Sequence, residues 1–368
     1  MVRESLLSEI TRTRGASFEE FHGWSVADRF GSLDAEYRLA RQRTALCDLS
    51  HRPKLRITGG AEGADFLHRM TTNDIKGLRP GHGLINLLLT VQGKLVADMR
   101  VFHTGECLLL DFDPCCFDAA LESFSKYRLS TKFDLIAENE IASLGLLGPG
   151  SPALLASLAE GPASLQEDME NTALPVAGAN VRAILTTYHG AEGYELWAER
   201  ELLFKIIARL EETASPQAIG WIGWRTIKAL RVEAGIPWFG VDMDGTNFPQ
   251  EVLMEGAVSF TKGCYLGQET VARIKYRGHV NKTLVGLRFE SSEVPAAGNK
   301  ILSQEREVGW ITSAVRTPGL DQPIGLGFVR RGFGEPGIRL QTVSSSGSIK
   351  TEVVALPFQS HRFDSDTA

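Results

Sequence analysis

Apolar positions along this chain change period several times, and the changes mark out its elements. Leu33, Tyr37 and Ala40 recur at helical spacing among charges, which predicts a helix from Leu33 to Arg43 inside a helix-rich entry over residues 1–45. Pro53 forbids further helix, and alternating Leu55 and Ile57 predict a short strand from Lys54 to Thr58. A helix follows from Ala61 to Met70, then three strands, Leu84–Leu89, Lys94–Phe102 and Glu106–Phe112, the first two joined at Gln92-Gly93. Phe117–Lys126 reads as helix, Lys132–Glu138 as strand, Ala142–Gly150 as a buried strand ending in a Gly/Pro turn, and Pro152–Leu158 as helix. Residues 159–175 read as loop, and Val181–Tyr188 with Glu192–Ala198 as a hairpin through His189-Gly190. Amphipathic helices are expected at Glu201–Glu212 and Trp221–Ala234.

After residues 279–283 the texture shifts to short strands between Gly, Pro and Ser turns: Leu284–Glu290, Lys300–Ser303, Glu307–Val315, Ile324–Arg330 and Ile338–Val343. That is the pattern of a small all-β domain, and the tail from Gln359 is polar and expected to fray. At 368 residues the chain exceeds one ordinary core and is expected to form two or three domains.

Composition changes this picture little: 43% hydrophobic and 23% charged residues are ordinary for a globular protein. A net charge of −6 argues against a protein built to wrap nucleic acid. Five cysteines without a CxxC pair give neither a disulfide framework nor a metal signature, and a reducing cytoplasm fits them best. No apolar run is long enough to span a bilayer, so no membrane partner is expected. Eight histidines show no HxH or HExxH spacing, and Walker, Rossmann and Gly-x-Ser-x-Gly signatures are absent.

Three features invite chemistry. Lys262-Gly-Cys-Tyr-Leu-Gly-Gln-Glu269 sets a thiol between glycines with a cation two residues upstream, an arrangement able to stabilise a thiolate. A free cysteine is nonetheless more often a small buried hydrophobe. Asp98 lies in an otherwise apolar strand and either pairs with Arg100 or Lys94 or faces a polar ligand. Glu195, sharing a strand face with Trp197, could hold a flat heterocycle, although exposed glutamates on edge strands are commoner. The basic run Arg273, Lys275, Arg277, His279, Lys282 alternates like one face of an extended segment, and a solvated strand edge is its plainer reading. The tetrad Thr71-Thr-Asn-Asp74 suits an Asx-type turn.

Taken in order, several segments resemble the folate-binding aminomethyltransferase superfamily, which includes the glycine cleavage T-protein and the YgfZ-type folate-binding proteins. They are Phe66–Asp74, Gly93–Asp98, Leu146–Pro149, Gly190–Glu195, Leu230–Gly235 with Phe239–Asp242, Val308–Ser313 and Ile324–Val329. The resemblance implies an α+β fold of three subdomains around a central folate hole. Its parts would be residues 1–52 with 140–280, residues 53–139, and a β-barrel over 281–358. It also implies tetrahydrofolate as cofactor, bound by Asp98, Tyr188, Glu195, Lys262, Gly263, Gln268 and Glu269, with Asp98 and Cys264 in catalytic roles. Glu195 would accept paired hydrogen bonds from the pterin. Two positions depart from the T-protein pattern: Ile85 stands near its folate-side tyrosine and Ile227 in place of its arginine. The Lys262–Glu269 motif is similar to the YgfZ hallmark, so that type is preferred. It implies support of iron–sulfur enzymes or their assembly proteins, including tRNA-modifying ones. The alternatives are a true aminomethyltransferase served by a lipoylated carrier protein, and a folate-independent tRNA-binding module.

Overall fold

The structure, a computed structural model, describes residues 2–358 apart from 129–131, 162–164, 177, 214, 216–217 and 321. The expected polar tail from Gln359 lies outside the described residues. Two sheets and a barrel organise the chain. The five-stranded antiparallel sheet runs Gly83–Leu89, Leu95–His103, Leu108–Phe112, Lys54–Ile57, Leu135–Ala137. The six-stranded sheet runs Asn171–Val176, Ala179–Thr186, Gly193–Glu199, Ile141–Leu147, Thr44–Asp48, Ile219–Trp221, with only the last strand parallel to its neighbour. Both alternate along their strands. In Leu95–His103, Leu95, Ala97, Met99 and Val101 enter the main apolar core with the helices Ala61–Met70 and Pro114–Tyr127. The opposite face carries Asp98, Arg100 and Phe102.

The C-terminal strands close into a six-stranded barrel, ordered Lys282–Phe289, Ile324–Arg330, Arg306–Val315, Lys300–Ser303, Arg339–Ser344, Gly347–Val354. Leu284, Ile324, Leu326 and Phe328 join the core of the five-stranded sheet. The barrel is also held by Arg231 and Asp242, which form a buried ion pair. Arg231 donates to Ser313 Oγ at 2.6 Å, while Asp242 Oδ1 accepts from Thr312 and Ser313 hydroxyls at 2.5 and 2.6 Å. A charge pair this dry depends on further hydrogen bonds, which the Ser313 and Thr312 hydroxyls and the Trp238 amide supply here, while Arg231 Nε has no partner among the described residues.

The fold agrees with the expected α+β class with a C-terminal barrel. Four local expectations are corrected. The entry is not mainly helical: Ser17–Phe21 and Trp24–Arg29 form a hairpin around His22-Gly23, both at positive φ. The span 159–175 contains the start of an edge strand, Asn171–Val176. Residues 219–221 are strand, and the following helix begins only at Trp224. The basic run sits largely on a helix, Gln268–Arg277, rather than on an extended segment, and Lys275 is paired with Glu255 at 2.6 Å.

Candidate functional site

Where the inner faces of the two sheets meet, buried charged side chains lie beside a small apolar cluster of Phe102, Met169, Ile184 and Trp197. Strand register arranges them in rows across the five-stranded sheet. Arg100 lies opposite Asp111, and Asp111 opposite Lys54. One step along the strands, Phe102 lies opposite Leu109, and Leu109 opposite Arg56. One step the other way, the same pleat brings up Asp98, Asp113 and Arg52.

The middle row is an ion-pair layer. Arg100 binds Asp111 Oδ2 through Nε at 2.9 Å and Nη2 at 2.7 Å, and grips both oxygens of Glu195 on the facing sheet. Glu195 also accepts from His189 Nε2 at 2.8 Å and Trp197 Nε1 at 2.9 Å. Burial opposes its ionisation, but Arg100 and His189 more than offset that and hold its carboxyl well below the ordinary range. Burial keeps His189 below its usual pKa despite Glu195, so the neutral ring donates through Nε2. Lys54 Nζ donates to the Arg52 carbonyl at 2.9 Å, lies 4.7 Å from the Trp197 ring centroid, and is pulled down to about 8 by burial, against the attraction of Asp111.

The outer row carries the titratable group of interest. Asp98 is 2% exposed, accepts from the Tyr188 hydroxyl at 3.4 Å, and has the Cys116 thiol 4.0 Å from Oδ1. Burial, then the like charge of Asp113, raise its pKa to about 7, while Arg52 and Tyr188 pull the other way. Arg52 is fixed by Asp111 at 2.8 Å and Asp113 at 2.6 Å, with its guanidinium 5.0 Å from the Tyr188 ring centroid. Around this row, both nitrogens of His51, Arg52 Nη2, Asp111 Oδ1, Asp113 Oδ2 and His189 Nδ1 are buried and find no hydrogen-bond partner in the protein. Orphaned groups of this density concentrate at sites that bind polar ligands or water.

Residues 7–262 match the GCVT N-terminal domain and residues 282–359 the glycine cleavage T-protein C-terminal barrel domain. The chain belongs to the GCVT family. Its relatives include aminomethyltransferases of Halothermothrix orenii, 26% identical over 97% of this chain and 100% of that one, and of Streptomyces coelicolor, 29% identical over 97% of each. The crystal structure of the glycine cleavage system aminomethyltransferase T from Bartonella henselae shares the fold, with a TM-score of 0.90 at 22% identity, covering 98% of this chain and 99% of that one.

In this member of the GCVT family, Asp98 and Tyr188 come together, but the other expected ligands do not join them. Asp98 pairs with neither Arg100 nor Lys94: Arg100 is saturated by Asp111 and Glu195, and Lys94 reaches the Thr246 carbonyl at 2.7 Å. Glu195, the expected pterin acceptor, is engaged within the protein. It is fully buried, and four donors from Arg100, His189 and Trp197 occupy its two oxygens. Nor is it on an edge, since Gly193–Glu199 is paired on both sides. Its own motif supplies part of the reason: a Cβ at Gly190 would collide with the Leu230 carbonyl, so only glycine lets the hairpin turn tuck in and present His189. Ile227 is core, packed in the cluster of Trp224 and Trp238, and Ile85 lies partly buried opposite Arg100.

The Lys262–Glu269 motif packs elsewhere. Lys262 Nζ donates to the carbonyls of His68, Thr71 and Asn73 at 2.6, 2.6 and 2.7 Å, so its ammonium secures the turn after the Ala61–Met70 helix instead of being held for a thiolate. Gly267, at φ +83°, packs against the Thr90 carbonyl and Gly93, and a Cβ there would strike the carbonyl and crowd Gly93. Gln268 and Glu269 open the following helix, and Cys264 is exposed. Among the described residues, no hydrogen bond or ion pair joins this motif to Asp98, Tyr188 or Glu195. Sequence reasoning missed Arg52, Lys54, Asp111 and Asp113, and offered Arg100 only as a partner for Asp98. The available signal was charge at every second position of apolar strands: Arg52-x-Lys54, Asp98-x-Arg100 and Asp111-x-Asp113.

Proposed function

We propose that the chain is a folate-dependent one-carbon transferase of the aminomethyltransferase type, taking its one-carbon unit from a lipoylated carrier protein. The carrying observation is Asp98, a carboxyl buried beside Tyr188 and poised to change protonation near pH 7. General acid–base work is most efficient at such a pKa. Relatives named aminomethyltransferase, matched along almost their whole length, support the same reaction class. Tetrahydrofolate, when bound, supplies the amine that accepts the one-carbon unit. The donor set suits it: His51, Arg52, Asp111, Asp113 and His189 leave both donors and acceptors free for a heterocycle rich in N–H and C=O groups. Asp98 then holds or passes a proton at its carboxylate. Tyr188 orients it, and Arg52 limits how far its pKa can climb. Glu195 acts through Arg100, fixing the layer on which these groups rest. The test is formation of methylene-tetrahydrofolate with an aminomethylated lipoyl carrier. Wild type is expected to turn over, and absence of turnover with a competent carrier refutes the reading.

A second reading rests on Lys262–Glu269, similar to the YgfZ hallmark. Its exposed Cys264 would serve a folate-binding accessory protein for iron–sulfur enzymes. Full complementation of a deletion strain by Cys264→Ala would remove its basis.

A further inference from the structure

The third row of the inner face opens into a cavity that the transfer reaction does not use. Its volume is about 580 Å³, and it lies between Lys54, Arg56 and Leu109 of the five-stranded sheet and Val181, Arg182 and Trp197 of the six-stranded one. By register it lies beyond the Arg100–Asp111–Lys54 layer from Asp98, so that layer forms a wall between the two spaces. Leu109, Ile141, Val181 and Leu202 make its sides apolar.

Its charges are not all paired. Lys54 leans on Asp111, and Arg56 pairs with Glu138. Arg182, half-buried, reaches only the Asn171 amide oxygen at 3.3 Å, and among the described residues no carboxylate lies within ion-pair distance of it. Burial draws its guanidinium below the ordinary value, against the weaker pull of Cys107 and Glu106. Lys205 adds a second cation at the exposed edge, and Glu199 and Glu201 also stand on that rim. The depth of Arg182 sets it apart from these solvated groups.

We propose that this cavity is a second ligand site, separate from the Asp98 site, which takes a small carboxylate with an apolar or aromatic body. The carboxylate meets Arg182, with Lys205 behind it, in the fork geometry guanidinium offers. The body lies against the Leu109, Ile141 and Trp197 wall. The volume falls in the usual range for small-molecule sites, of about 300–1,000 Å³. The proposal stands whether or not the folate reading does.

Phenylacetate is the probe, with phenylacetamide as its uncharged isostere, followed by ligand-observed NMR on the full chain. Phenylacetate is expected to saturate one site at about millimolar affinity, in keeping with its size. Arg182→Gln should weaken it at least tenfold, with Arg182→Lys recovering part of the loss. Ala173→Trp, which adds bulk at an exposed lining position, should block it without disturbing the core. Equal binding of amide and acid, indifference to Arg182→Gln, or no saturation with the probe would overturn the proposal.

Discussion

Replacing Asp98 by Asn isolates the titration on which the functional reading depends. The side chain keeps its shape, and its amide oxygen can still accept from Tyr188. The wild-type carboxyl is raised from 3.8 to about 7 by burial and by Asp113. A raised acid favours the folded state below its unfolded pKa, and that advantage is lost as pH climbs through 7. A rise of this size corresponds to roughly 4 kcal/mol, an upper bound for a buried group with charged neighbours. Above pH 7 the folded wild type therefore carries an ionised Asp98 at a cost that Asn lacks. The variant should be more stable than wild type at pH 8 by up to about 4 kcal/mol, a gap shrinking to near zero around pH 4. In thermal unfolding this is on the order of 5 °C for a chain of this length. Urea unfolding followed by tryptophan fluorescence at pH 4.5, 6, 7 and 8 measures it, because other titrations cancel between the proteins. A gap that does not change with pH, or a variant less stable at pH 8, refutes the reasoning.

Glu195→Gln removes the charge that holds Arg100 from the facing sheet, so unfolding free energy should fall by about 3–5 kcal/mol. A purely ligand-binding glutamate would leave stability untouched, and denaturant titration without folate separates the two. Asp242→Ala leaves Arg231 buried without its carboxylate and should cost a similar amount, with the barrel melting ahead of the rest, visible as protease-sensitive residues 282–358. Timed alkylation with iodoacetamide at pH 8 should modify exposed Cys264 first, leaving Cys47 and Cys116 protected by burial. Cys115, whose backbone reaches the surface while its thiol is pushed up to about 12 by desolvation and then Asp113, should lag well behind Cys264, as peptide mass spectrometry would show.

The frame of the molecule was legible because its patterning is strong. The Leu33–Gln42 and Ala61–Met70 helices follow from period, and five of the six barrel strands from period and the turns between them. The Gly347–Val354 strand that closes the barrel escaped because its Gly-Ser-Ile-Lys-Thr-Glu stretch is mostly polar; Ile349, Thr351 and Val353 alone face inward. The early hairpin escaped because two five- or six-residue strands around His22-Gly23 leave little periodicity to read. Asp98 was found as a carboxylate out of place among apolar neighbours. Its setting was hidden, because Arg52, Asp111 and Asp113 reach it only through strand pairing across the sheet. The setting of Glu195 was hidden for a similar reason: the motif around it is specific, yet Arg100 reaches it only from the facing sheet. In Lys262–Glu269 the lysine looked like a companion of the thiol, and three backbone carbonyls claim it instead.

In the proposed reaction Asp98 manages a proton during one-carbon transfer to tetrahydrofolate. The most direct measurement is the rate of methylene-tetrahydrofolate formation from an aminomethylated lipoyl carrier, between pH 5.5 and 8.5, for wild type and Asp98→Asn. A wild-type profile that bends near pH 7, with a variant rate at least a hundredfold lower and no bend, is the predicted result. An Asp98→Asn enzyme that keeps both the wild-type rate and its pH profile would contradict that role.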